Sequence, residues 1–142
     1  MTAMFSAVTH YSIWVTDQDQ AHDFYVGKLG LEVHTDINLD FMRWLTVCAP
    51  GDRGHQIILA PLAPPVIDPE NAERARDLLS KGYMGTIILS TPDCRATYEK
   101  LLADGVEFSQ EPVEQPYGLE CVARDPFGNQ IRIAEHTAPP TP

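Results

Sequence analysis

Residues 54–60 read GHQIILA and residues 128–134 read GNQIRIA, with four identical positions at an offset of 74. Around this pair, Ala21 matches Ala96, Gly30 matches Gly105 and Glu32 matches Glu107, all at an offset of 75. A chain that repeats spaced residues in this way is built from two copies of one supersecondary unit. The substitution that matters most is Ile58 in the first copy to Arg132 in the second, an apolar side chain replaced by a fixed charge.

The content of each copy follows from local signals. Residues 9–15, rich in Tyr, Ile, Trp and Val, favour a strand, and Asp17 to Asp19 supply cap chemistry for a helix through QAHDFYVGKL. Ala21, Phe24, Tyr25 and Leu29 recur at helical spacing, and Gly30 ends the helix. LEVHTDI, FMRWLTVCA and HQIILA then read as three strands. In the second copy a strand at 86–90 precedes a helix opened by Pro92 and Asp93 and ended by Gly105. VEFSQ, LECVAR and NQIRIAE follow as strands. The expected fold is α+β: one β-α-β-β-β module over 6–62 and another over 85–136, joined by a proline-rich linker over 63–84. Asp68, Pro69 and Gly82 predict an extra helix in that linker, and a flexible tail is expected over 137–142.

Composition narrows the function classes. The 142 residues are 44% hydrophobic, enough for a core, and carry 20 acidic against 10 basic side chains for a formal net charge of −10. That balance repels nucleic-acid phosphates and anionic lipid, and no Lys/Arg cluster reverses it locally, so neither partner is expected. MTAMFSAVTH has no positive flank or long apolar run, and no stretch of eighteen apolar residues occurs, so the expected location is cytoplasmic. Cys48, Cys94 and Cys121 are odd in number and lack C-x-x-C spacing, which reads as reduced, packed thiols. G-x-S-x-G, P-loop and H-E-x-x-H motifs are absent from the sequence.

Two stretches carry a family resemblance. HYSIWVTDQDQAHDFYVGKLGLEV resembles the opening module of the glyoxalase, bleomycin-resistance and extradiol-dioxygenase proteins (the vicinal oxygen chelate superfamily), and RDPFGNQIRIAEH resembles their closing D-P-x-G-N strand. The resemblance implies two sheets curled into a shared cup with helices packed outside. It also implies a divalent metal in active members, held by residues of the first and last strand of each module. Those positions fall here on His10, Ile58, Thr86 and Arg132. Only His10 is an ordinary ligand; Ile58 has no donor, Thr86 is a poor neutral one, and Arg132 is a fixed positive charge. No cofactor is therefore expected; an unusual divalent-metal site enlisting Glu120 or His55 is the alternative.

Side-chain alternation along a strand orients the remaining candidates. Tyr11, Ile13, Val15, Ile87 and Leu89 are expected beneath the helices. His10, Ser12, Trp14, Gln56, Thr86, Ser90, Gln130 and Arg132 are expected on the inner faces, with Tyr117 of EQPYG at the rim. His10 is the candidate acid–base residue, and the other eight of these nine are candidate ligand contacts. Bland alternatives stand beside each: His10 satisfying a backbone group, Arg132 pairing with Glu120, Trp14 packing, Tyr117 shaping a turn at Pro116 and Gly118. The expected function is enclosure of a small polar or anionic organic molecule without a catalytic metal, by sequestration or simple acid–base turnover. The alternative is a metal-dependent lyase or dioxygenase with unusual ligands, and whether the chain is an enzyme stays open. Unpaired edge strands predict a symmetric homodimer.

Overall fold

The computed structural model describes residues 3–136. The expected flexible tail, 137–142, lies outside these residues. The chain divides into two compact units, Met1–Pro69 and Glu70–Pro142.

The first unit runs β1 (His10–Val15), α1 (Gln18–His22), β2 (Glu32–Asn38), β3 (Arg43–Cys48) and β4 (Gln56–Pro61). Its sheet has the order β1-β4-β3-β2, with β1 parallel to β4 and the other neighbours antiparallel. The second unit runs α2 (Pro69–Ser80), β5 (Thr86–Ser90), α3 (Cys94–Ala103), β6 (Glu107–Gln115), β7 (Gly118–Arg124) and β8 (Gln130–His136). Its order, β5-β8-β7-β6, is the same arrangement, with β5 parallel to β8. The duplicated letters thus mark β4 and β8, the inner strands each pairing with the first strand of its unit. Both sheets are curled but not closed.

The helices start where capping predicts. The Asp17 carboxylate accepts the Gln20 amide at 2.9 Å, and Asp93 accepts the Ala96 amide at 3.0 Å; each cap contributes about 1 kcal/mol. Gly30 and Gly105 follow the helices with φ of 76° and 87°, the left-handed turn that ends a helix without a Cβ clash. Beyond His22 the first helix widens into a π-helical segment, Asp23–Lys28. With the extra residue in the turn, the consecutive Phe24 and Tyr25 both stay buried.

Alternation is realised on both inner strands. Ile57, Leu59, Ile131 and Ile133 are buried on the helix side, while Gln56, Ile58, Gln130 and Arg132 are half-buried on the other face. Ile13 and Val15 pack as expected, but Tyr11 does not: its side chain is 41% exposed. Tyr11 lies near the start of an edge strand with a sheet neighbour on one side only, so less of the unit covers it. The strand expected over 106–110 continues to Gln115, and EQPYG is a hairpin with Gln115 paired to Gly118. A register shift between Gln110 and Val113 carries β6 past Pro112, which an edge strand tolerates because its unpaired side needs no donor.

Candidate functional site

The inner face of the second unit is assembled by register. Val122 pairs with Arg132, Arg124 with Gln130, and Glu120 with Ala134, while Thr86 and Ile88 of β5 lie beside Gln130 and Arg132. Partners across a sheet share a face, so Glu120, Val122, Arg124, Thr86, Ile88, Ser90, Gln130 and Arg132 form one surface. The Arg132 guanidinium donates from Nη1 to Glu120 Oε1 at 2.7 Å, and the Tyr117 hydroxyl donates to Glu120 Oε2 at 3.0 Å. The Glu120 side chain is 4% exposed while Arg132 is 41% exposed. A buried carboxylate thus has both oxygens occupied and a half-exposed guanidinium as its counterion. Partial burial, then the bond to Glu120, holds the Tyr117 phenol above its ordinary pKa, so it stays a donor.

The remaining candidates of this unit divide. Gln130 turns its amide away, donating Nε2 to the Gly82 carbonyl at 2.9 Å, which ties β8 to the turn after α2. Thr86 and Ser90 are exposed on β5, and Ile88 between them is 59% exposed.

The first unit brings its candidates together on an aromatic and amide surface. His10 pairs with Gln56 across β1 and β4, and Ser12 and Trp14 follow on the same face. The His10 ring lies 6.2 Å from that of Trp44 and accepts or donates at Nδ1 to Thr9 Oγ1 at 2.8 Å. Gln56 Oε1 accepts the hydroxyl of Thr46, a fully buried side chain opposite Ile58. His10 and Ser12 are exposed, and Trp14 is half-buried.

Sequence reasoning took Glu120 as a partner for Arg132 or a member of an unusual metal site, yet it organises the second face. The signal was available: LECVAR has a single acid, on the same alternation as Arg132. Thr46, which fixes Gln56, had no such signal because Thr suits either face of a strand.

The donor set can be tested against the divalent metal that the resemblance implies. His10 is the only imidazole or carboxylate at the four corresponding positions. Glu120 has both oxygens committed, and the His55 ring is exposed and engaged with Asp52 at 2.8 Å. Among the described residues no three His, Cys, Asp or Glu side chains are grouped to hold an ion. These residues do not fit a resident divalent ion, which requires three or four such donors.

Fold and faces together define a duplicated βαβββ protein, and the chain belongs to the Glyoxalase/Bleomycin resistance protein/Dioxygenase superfamily, whose family model matches residues 7–133. Among solved structures it is similar to UcmS2, with 41% identity, a TM-score of 0.88, and coverage of 93% of this chain and 99% of that one. It is also similar to TnmS3, an antibiotic binding protein from Streptomyces sp. CB03234, with 27% identity, a TM-score of 0.76, and coverage of 96% and 100%. The uncharacterized protein YurT of Bacillus subtilis (strain 168) is 32% identical over 125 residues, 87% of this chain and 94% of its own length. No helix among the described residues is long and apolar enough to cross a membrane.

Proposed function

We propose that this protein binds a small polar or anionic organic molecule on its inner sheet faces, holding it without a resident metal. The observation that carries this reading is the Arg132–Glu120–Tyr117 set at a position where the family places a metal ligand. A guanidinium fixed there has no lone pair to ligate a cation and offers N–H donors instead. The similarity to TnmS3, an antibiotic binding protein, supports sequestration over turnover. His10, Ser12, Trp14 and Gln56 supply hydrogen-bonding groups and an aromatic wall on one face. Thr86, Ser90, Tyr117 and Arg132 do so on the other, while Gln130 positions β8. His10 is the one imidazole among these side chains and the residue proposed to carry any acid–base turnover.

The test is calorimetric titration of the protein with a panel of small aromatic antibiotics, alongside elemental mass spectrometry of protein purified without tag or chelator. Saturable binding, weakened about tenfold or more in Arg132→Ala or His10→Ala, with metal well below one ion per chain, is the expected result. Affinity indifferent to both substitutions sinks the assignment of these faces. A stoichiometric ion whose removal abolishes binding establishes the metal-dependent alternative.

A further inference from the structure

We infer that Glu120 is a specificity-determining residue that makes the inner face of the second unit select uncharged hydrogen-bond acceptors, such as carbonyl or amide groups, over carboxylates. This rests on the proposed binding function and narrows its ligand class.

The geometry carries it. An inward arginine alone is an anion site, because guanidinium and carboxylate match in charge and in bidentate geometry. Arg132 is not alone: its Nη1 lies 2.7 Å from Glu120 Oε1, and the Glu120 side chain is 4% exposed. A carboxylate so enclosed cannot swing into solvent to release its partner, and solvent screens it poorly. An arriving carboxylate therefore meets a neutral ion pair and must sit near a second, buried negative charge. An arriving carbonyl meets the remaining N–H groups of the half-exposed guanidinium and no net charge to oppose it. Tyr117 reinforces the choice: its hydroxyl hydrogen is committed to Glu120 Oε2, so it is not an extra donor for an anion. The other cation of this face, Arg124, donates Nη2 to the Ser80 carbonyl at 3.1 Å and lies opposite Glu107 in the β6–β7 register. The chain's formal charge of −10 adds a background field of the same sign.

Two probes of one shape separate charge from fit: 2-naphthamide and 2-naphthoate, titrated calorimetrically at low salt against the unmodified protein and Glu120→Gln. Glutamine keeps the size and an acceptor oxygen but removes the negative charge. The unmodified protein is expected to bind the amide about fivefold or more tighter than the acid. Glu120→Gln is expected to raise naphthoate affinity about tenfold while changing naphthamide by less than about threefold, since a charge-assisted hydrogen bond is roughly twice as strong as a neutral one. The double variant Glu120→Gln/Arg132→Gln is expected to lose the naphthoate gain, which locates it at Arg132. Naphthoate binding as tightly as naphthamide to the unmodified protein overturns the inference, whether or not the variants fold. An unchanged ratio in a folded Glu120→Gln overturns it too. Failure of both probes to bind the unmodified protein refutes instead the binding role of this face.

Discussion

At the residue scale, partners decided what sequence could not. The facing of Arg132 followed from the strand period, and that of Gln56 and Gln130 likewise. Where each side chain places its hydrogen bonds did not, because Gln130 reaches Gly82 and Arg132 reaches Glu120 only once the strands have paired. The cysteines show the same limit. Sequence read them as packed thiols, and all three are buried and free, but Cys94 and Cys121 meet at 3.7 Å between Sγ atoms. Burial first, then the bond and charge of Cys94, push the Cys121 thiol up to about 12. An unfolded thiol titrates at about 8.5. The folded state holds this proton more tightly, so the thiol's contribution is complete below the unfolded value and is lost as pH rises toward the folded one. The urea midpoint is expected to fall between about pH 8.5 and 10, below the window in which Tyr11 and Tyr117, both held above the ordinary phenol value, add their share. Cys121→Ala, compared by its slope with pH rather than by its starting stability, is expected to fall less steeply. Parallel slopes would show that this thiol is not the source.

At the scale of elements, the DPFGN turn before β8 is more than the punctuation its letters suggest. Asp125 Oδ1 accepts three successive amides, from Phe127, Gly128 and Asn129, at 2.8 to 2.9 Å, and Oδ2 accepts the Asn129 side chain at 2.6 Å. Asp125 is 4% exposed, so these bonds act where water does not compete. The turn also abuts α2: a Cβ on Gly128, at φ 119°, would lie 1.9 Å from the Leu79 carbonyl oxygen. Gly128→Ala is therefore expected to lose about 2–4 kcal/mol, from backbone strain plus displacement of a fixed carbonyl. Gly27 is the contrast, since nothing lies within 4 Å of a Cβ placed there and its φ is ordinary. Gly27→Ala is expected to gain about 0.4–1 kcal/mol by restricting the unfolded chain. Urea unfolding of both variants decides it; equal effects would mean that α2 does not press on this turn. The repeat made the element order legible, whereas the π-helical segment at Asp23–Lys28 was not, because Phe24 and Tyr25 read equally well as one stripe of an ordinary helix.

At the scale of the whole molecule, the open edges remain to be accounted for. β1 and β5 each end a sheet with one side unpaired by any strand of that sheet. A bare edge is a template for pairing, and natural chains blunt it with charge, proline or a bulge. Neither HYSIWV nor TIILS contains Lys, Glu, Asp or Pro, and each strand pairs with its neighbour in unbroken register along its length. Apolar side chains lie exposed nearby: Ile88 on β5 at 59%, and Met4, Phe5 and Val8, which precede β1, at 73–88%. A solvated monomer gains nothing from that exposure, and a second copy would remove it at about 25 cal/mol per Å² of apolar area. The expected result of size-exclusion chromatography with light scattering is a mass twice 15.8 kDa at micromolar concentration. Ile88→Lys places a charge on that surface, beside Arg132 in the β5–β8 register, and is expected to shift the mass toward the monomer while the far-ultraviolet dichroism stays unchanged. A mass of 15.8 kDa for the unmodified chain across that concentration range would rule out the homodimer and leave the exposed edges to be covered by a different partner.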